Sequence, residues 1–206
     1  QPASRPIPLK ACAVPYACME AHGLVWVRLN GNDPASLPPY PEYADPLFKA
    51  YFCGPYQVNA SMPRVVENFL DVGHLAFVHE GTLGVPELAE IEPYETHRVD
   101  DRIVTDPIRI FQPNPDGNGK AFQTEYVYEI LKPAVVRFRK TGQDPVHRYT
   151  MMLAVLPEGP VSSKAFIVAC LNYQHDTTNE VFEQRQTAIF NEDTYVVEKQ
   201  RPELLP

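Results

Sequence analysis

The chain has 206 residues, 44% of them hydrophobic and 21% charged, which suits one well-cored globular domain, or one domain with a remnant of another. A formal charge of −8 without a basic cluster excludes binding along a nucleic-acid backbone, and no apolar run reaches the roughly 20 residues of a membrane helix. Low-complexity tracts, internal repeats and a signal-peptide pattern are all absent.

Residues 1–13 are Pro-rich and expected to be extended; the 22 prolines of the chain are about twice the usual share of roughly 5%. CMEAHGLVWVRL (18–29) ends in a strand, LVWVRL, followed by a turn at Asn30-Gly31-Asn32-Asp33. Prolines crowd between 33 and 63 and mark an extended connection that wraps a surface to about residue 48. YFCGPYQVNA (51–60) reads as strand around a Gly-Pro break. Ser61, Met62 and Pro63 then offer an N-cap and a first-turn proline. Val65, Val66, Phe69, Leu70 and Gly73 recur at helical spacing, so a helix is expected from there to near Gly73.

From about residue 105 the pattern changes to alternation. TDPIRIFQ, AFQTEYVYEILK, PAVVRFRKTG, HRYTMMLAVLP and SKAFIVACLNY are strand candidates, with turns at 113–117 and at Gly159-Pro160. Short turns between consecutive strands imply an antiparallel meander. NEVFEQRQTAIFNEDTYVVEKQ is a long closing helix with Phe182, Arg185, Gln186, Ile189, Phe190, Asp193, Val196 and Val197 on or near one stripe. The layout is α+β.

Four cysteines (Cys12, Cys18, Cys53, Cys170) form no CxxC and no Cys-x-His pair, so no zinc ribbon or iron–sulfur site can be built from local motifs. Reduced thiols in a cytoplasmic protein are expected, a Cys12–Cys18 bridge being the only local alternative. His22, His97, His147 and His175 are scattered and read as structural or exposed, and Trp26 as packed in its strand.

One stretch carries chemistry: ENFLDVGHLAFVH, residues 67–79. Asp71 and His74 are neighbours on one face of a regular helix, whereas His79 lies about 140° round from His74. Both imidazoles can reach one ion only if the helix loosens or ends between them, as Gly73 and Glu80-Gly81 allow. HExxH is absent, which removes the zinc-protease reading. Histidines five apart are more often unrelated, but Phe69, Leu70, Val72, Leu75, Phe77 and Val78 around them favour burial. Buried imidazoles and a carboxylate must pair or bind a cation. Spacing leaves both readings open.

The pattern N-x-x-D-x-x-H-x4-H, met at Asn68, Asp71, His74 and His79, resembles the iron-binding stretch of Rieske non-heme iron oxygenases, close to the vanillate O-demethylase and dicamba monooxygenase subgroup. EAHGLVWVRL resembles the last strand of that family's Rieske domain, and FNEDTYVVEKQRPELLP its C-terminal helix. The resemblance implies a helix-grip (START/Bet v 1-like) fold, an antiparallel sheet wrapped around a long C-terminal helix. It implies that His74, His79 and Asp193 ligate a mononuclear Fe(II), with Glu192 the rival carboxylate. Asp71 would link the iron to a neighbouring subunit's cluster, and Asn68 would tune it. A facial triad of two imidazoles and one carboxylate leaves positions open for O₂.

The implied activity is hydroxylation or O-demethylation of an aromatic or similar apolar substrate. Its implied partners are a ferredoxin and/or an NAD(P)H-dependent reductase, in a homotrimer when full length. The Rieske motif itself, Cys-x-His then Cys-x-x-His, is missing, so the [2Fe-2S] cluster is expected in the full-length protein and not on this chain. The expected division is a Rieske-domain remnant (1–32), a Pro-rich connector with the first strand (33–60) and a C-terminally truncated catalytic domain (61–206), inactive without its electron donor. Two other readings remain: a helix-grip module that binds apolar ligands without redox chemistry, and a zinc hydrolase using the same histidines. Tyr126, Tyr128, Phe138 and Met151 alternate on strands, without a sign of which face a pocket.

Overall fold

The fold comes from a computed structural model that describes residues 15–29, 36–142 and 144–205. Residues 1–13, the turn at 30–33 and any bridge from Cys12 lie outside these. Two compact units are formed, residues 1–37 and 38–206. In the first, β1 (Ala17–Ala21) and β2 (Leu24–Arg28) pair as an antiparallel hairpin. His22 and Gly23 both take positive φ, 55° and 71°, the mirror-image turn that matches strand twist in a two-residue hairpin. Trp26 Nε1 donates to the Ala21 carbonyl at 2.9 Å.

The second unit begins with a short helix, α1 (Pro41–Ala44), then β3 (Lys49–Val58) and α2 (Met62–Leu70). Strands β4 (Thr96–Val99), β5 (Arg102–Thr105), β6 (Ile108–Gln112), β7 (Phe122–Lys132), β8 (Val135–Thr141), β9 (Arg148–Gly159) and β10 (Ser162–Leu171) follow. The closing helix is α3 (Asn179–Val197). The sheet runs β3-β10-β9-β8-β7-β5-β4, with β6 also on β7, and every pairing is antiparallel. This is the expected helix-grip α+β layout. The five strands expected from 105 onward are β6 to β10; β4 and β5 extend the sheet beyond them. All four residues of β4 are exposed, so it has no buried face to write into its sequence.

β3 runs through Gly54-Pro55 as one strand. Gly54 has φ of 90°, and a Cβ there would lie 2.8 Å from Tyr56 N and 2.9 Å from Ala165 O, so only glycine fits this bend beside β10. Ser61 occupies the N-cap of α2 as expected, but its hydroxyl donates to the Glu203 carbonyl at 3.2 Å and caps nothing. The Pro-rich connector covers the outer face of the sheet. The Tyr40 hydroxyl reaches the Val168 carbonyl at 2.9 Å, and Glu42 pairs at 3.0 Å with the buried Arg137, which also holds Glu129 at 2.8 Å. On the inner face α2 and α3 pack on one apolar cluster. Tyr51 stacks on Phe182 with centroids 4.4 Å apart, and Tyr56 on Phe190 at 4.3 Å. These stacks seat α3 in the sheet and so set where Asp193 falls.

Candidate metal centre

α2 ends at Leu70, a turn before the end expected near Gly73. The cause is local: the Asp71 carboxylate accepts the Gly73 N–H at 2.9 Å, an Asx turn that competes with helix continuation. Asp71 and His74 are therefore not neighbours on a helical face. His74 sits on a 3-10 turn, Gly73–Ala76, and His79 follows three residues beyond it. The chain leaves the helix before His74 rather than between the histidines, and both rings turn to one point.

His74 Nε2 and His79 Nε2 are 3.2 Å apart, and Asp193 Oδ1 lies 3.2 Å from the first and 3.0 Å from the second. The outer nitrogens are occupied elsewhere. His74 Nδ1 donates to the Asp71 carbonyl, and His79 Nδ1 donates to Glu192 Oε2 at 2.6 Å. With a proton on each Nδ1, two Nε2 lone pairs and a carboxylate face one another, an arrangement that needs a cation between them. Three donors about 2.1 Å from one centre at right angles would be about 3.0 Å apart, so the donor set fits a facially bound divalent ion.

Electrostatics agree. Burial raises the Asp193 carboxyl, but hydrogen bonds from His74 and His79, the charge on His79 and the Asn68 side chain outweigh it and bring it down to about 2. Burial lowers His79, yet its bonds and proximity to Asp193 and Glu192 raise it above its ordinary value. Where no metal occupies the centre, a proton on His79 therefore provides the missing positive charge.

Asn68, His74, His79 and Asp193 come together, while the exposed Asp71 carboxylate stays outside and orients His74 through its backbone oxygen. Glu192 and Asp193 occupy opposite sides of the His79 ring. Glu192→Leu is expected to weaken Co(II) binding by about 10–100-fold, with Glu192→Gln retaining most of it, as read by titrating the Co(II) visible absorption. Equal losses in both variants would deny Glu192 this orienting role.

Gly84 supports the turn between the ligands. A Cβ there would lie 2.6 Å from Ala76 Cα and 2.8 Å from Ala76 N, both backbone atoms that cannot yield alone. Gly84→Ala should cost about 1–3 kcal/mol in a denaturant midpoint and lower Co(II) affinity as well, because the displaced segment joins His74 to His79. Unchanged values for both would show that the turn does not depend on this contact.

Both histidines and Asp193 open into a cavity between the sheet and α3 whose apolar wall includes Phe69, Tyr126, Tyr128, Phe138 and Met151. The alternating strand residues thus face the cavity. At the same wall stand Asp116, Lys140 and Arg185, which periodicity alone assigns to solvent or to a helix stripe. The remaining histidines have local partners: His97 with Asp106 at 2.8 Å, His147 stacked on Tyr173 at 4.5 Å, and His175 with the Leu171 carbonyl at 3.2 Å. Among the described residues no helix is long and apolar enough to cross a membrane.

Comparison with known proteins gives a consistent set of likenesses. A family model for the vanillate O-demethylase oxygenase C-terminal domain matches residues 58–206. The Probable methylxanthine N7-demethylase NdmC of Pseudomonas sp. (strain TJI-51) is 32% identical over 198 residues, 92% of this chain and 68% of that protein. The structure of Pseudomonas putida CBB5 NdmA with caffeine superposes with a TM-score of 0.80 at 25% identity, covering 98% of this chain and 58% of the other. Dicamba monooxygenase bound to 3,6-dichlorosalicylic acid shares the fold, with a TM-score of 0.73 at 18% identity over 89% of this chain and 59% of the other. This chain spans 68%, 57% and 52% of three methylxanthine demethylases it matches.

Proposed function

This chain belongs to the vanillate O-demethylase oxygenase C-terminal domain family, the catalytic domain of Rieske-type oxygenases, and from that premise we propose that it hydroxylates or demethylates a small aromatic or similar apolar substrate. The observation that carries the reading is the convergence of His74 Nε2, His79 Nε2 and Asp193 Oδ1 at 3.0–3.2 Å on the floor of an apolar cavity. These three residues would hold a mononuclear ferrous ion. When bound, that ion supplies reductive activation of O₂ at its open positions.

The chain's own residues do the rest. Asp71 and Glu192 hold the two imidazoles in the tautomer that aims Nε2 inward. Asn68 hydrogen-bonds Asp193 and keeps its carboxylate turned to the same point. Phe69, Tyr128 and Phe138 form an aromatic wall, with Phe69 and Phe138 stacked at 5.5 Å, which excludes water and favours a flat ring. For a methoxyarene the balance is ArOCH₃ + O₂ + 2e⁻ + 2H⁺ → ArOH + CH₂O + H₂O. The electrons come from outside this chain, from a [2Fe-2S] centre fed by a ferredoxin or an NAD(P)H-dependent reductase. The exposed Asp71 carboxylate is placed to meet such a donor on a neighbouring subunit of a homotrimer.

The test supplies the Fe(II)-loaded chain with a [2Fe-2S] ferredoxin, its reductase, NADH and O₂, and offers methoxy- and N-methyl-arenes. O₂-dependent formaldehyde that disappears in His79→Ala is the expected result. Bound iron with ligand binding but no O₂-dependent product would favour the ligand-binding module. Hydrolysis supported by zinc and spared by Asp193→Ala would favour the hydrolase.

A further inference from the structure

The cavity has a second polar end. Lys140 is 2% exposed at its side chain and donates to the Pro115 carbonyl at 2.9 Å, with Asp116 Oδ1 at 3.5 Å. Arg185, on α3, donates to the carbonyls of Asn114 and Pro115 at 3.3 and 2.9 Å. Among the described residues no carboxylate lies within ion-pair distance of its guanidinium. Asp116 is the one acid on the cavity wall apart from Asp193, and Tyr173 already donates to it at 2.9 Å. Two buried cations thus share one carboxylate inside an apolar cavity, where uncompensated charge is expensive.

Position adds meaning to charge. Arg185 and Asp193 are eight residues apart on α3, a rise of about 12 Å. That span suits one aromatic ring with a substituent at each end. We propose that Arg185 and Lys140 form an anchor for a carboxylate-class anion, so that the substrate is an aromatic acid held by its acidic group while its opposite end faces His74, His79 and Asp193. The identification of that opposite end as the reacting one rests on the function proposed above. Arg185 matches a carboxylate by its planar fork, and Lys140 adds a point charge. Burial pushes the Lys140 ammonium down to about 8, against the pull of Asp116 and helped by Arg185, so the two cations already compete for their single acid.

A purely structural role would have Arg185 and Lys140 clamping the loop at 114–117, and the variants separate the two roles by sign. The full chain is loaded with Co(II), its Co(II) content is measured, and 4-methoxybenzoate, methoxybenzene and caffeine are titrated by calorimetry at pH 7. The anchor predicts that 4-methoxybenzoate binds at least about tenfold tighter than methoxybenzene or caffeine. Arg185→Met and Lys140→Met should each remove most of that preference and leave methoxybenzene unchanged. Asp116→Asn keeps an acceptor for Tyr173 but removes the competing charge, so it should tighten 4-methoxybenzoate. Equal binding of the neutral probes, or weakened 4-methoxybenzoate in Asp116→Asn, overturns the anchor even if Arg185→Met fails to fold. A preference for the acid in a chain that takes up no Co(II) would keep the anchor and remove the metal reading; Co(II) uptake without the preference would do the reverse.

Discussion

Asp193→Ala is expected to leave a folded chain that binds Co(II) or Fe(II) more weakly by over about 100-fold, beyond the loss that an outer partner causes, and that forms no O₂-dependent product. Asp193 supplies the only carboxylate facing both Nε2 atoms, and Glu192 cannot replace it from the far side of the His79 ring. Its carboxyl, brought down to about 2, is ionised at any working pH and meets no competition from protons. His79 behaves oppositely. Its pKa is raised, so the stability it contributes without metal is complete below its ordinary 6.5 and lost as pH rises through the raised value. Metal affinity should move the other way, rising as His79 sheds its proton. Asp193→Ala removes the first cause of that rise, so the variant should show a flatter pH dependence of stability when metal-free. Wild-type Co(II) affinity in Asp193→Ala would remove the residue from the centre.

Phe190→Ala should be the most damaging single change to the fold, costing about 3–5 kcal/mol of a total that is typically about 5–15 kcal/mol. Phe190 is 8% exposed, stacks on Tyr56 at 4.3 Å and belongs to the apolar cluster that joins α2, α3 and the sheet. It lies three residues before Asp193, so the cavity left behind loosens the turn of helix that aims the carboxylate. Phe190→Leu keeps most of the volume and should cost less than half as much. Urea midpoints of the three chains decide this, and a loss below about 1 kcal/mol for the alanine variant would show that α3 is held by other contacts.

Much of this was legible before any coordinates. The alternation in β6 to β10 survives because each has a buried face, whereas exposed β4 left no such trace. Asn68, His74 and His79 could be picked out from N-x-x-D-x-x-H-x4-H, and the stripe along α3 singled out Asp193. Which of two adjacent acids faces the histidines was not legible, because both are carboxylates about 100° apart on one helix. Only the position of the His79 ring assigns them. The end of α2 was misjudged because Asp71 can extend a helix or close an Asx turn, and the Gly73 N–H decides for the turn. Lys140 and Arg185 read as solvated charges, since a strand or helix pattern cannot tell a wet face from the wall of a cavity. Gly84 gave no signal, because its tight contact is with a segment distant in conformation though near in sequence.

Anaerobic loading with Fe(II), followed by desalting and iron analysis, bears most directly on the centre. One iron per chain in the wild type, falling to near zero in His79→Ala, is the predicted result. A wild-type chain that retains no iron, or a His79→Ala variant that retains as much, would contradict it.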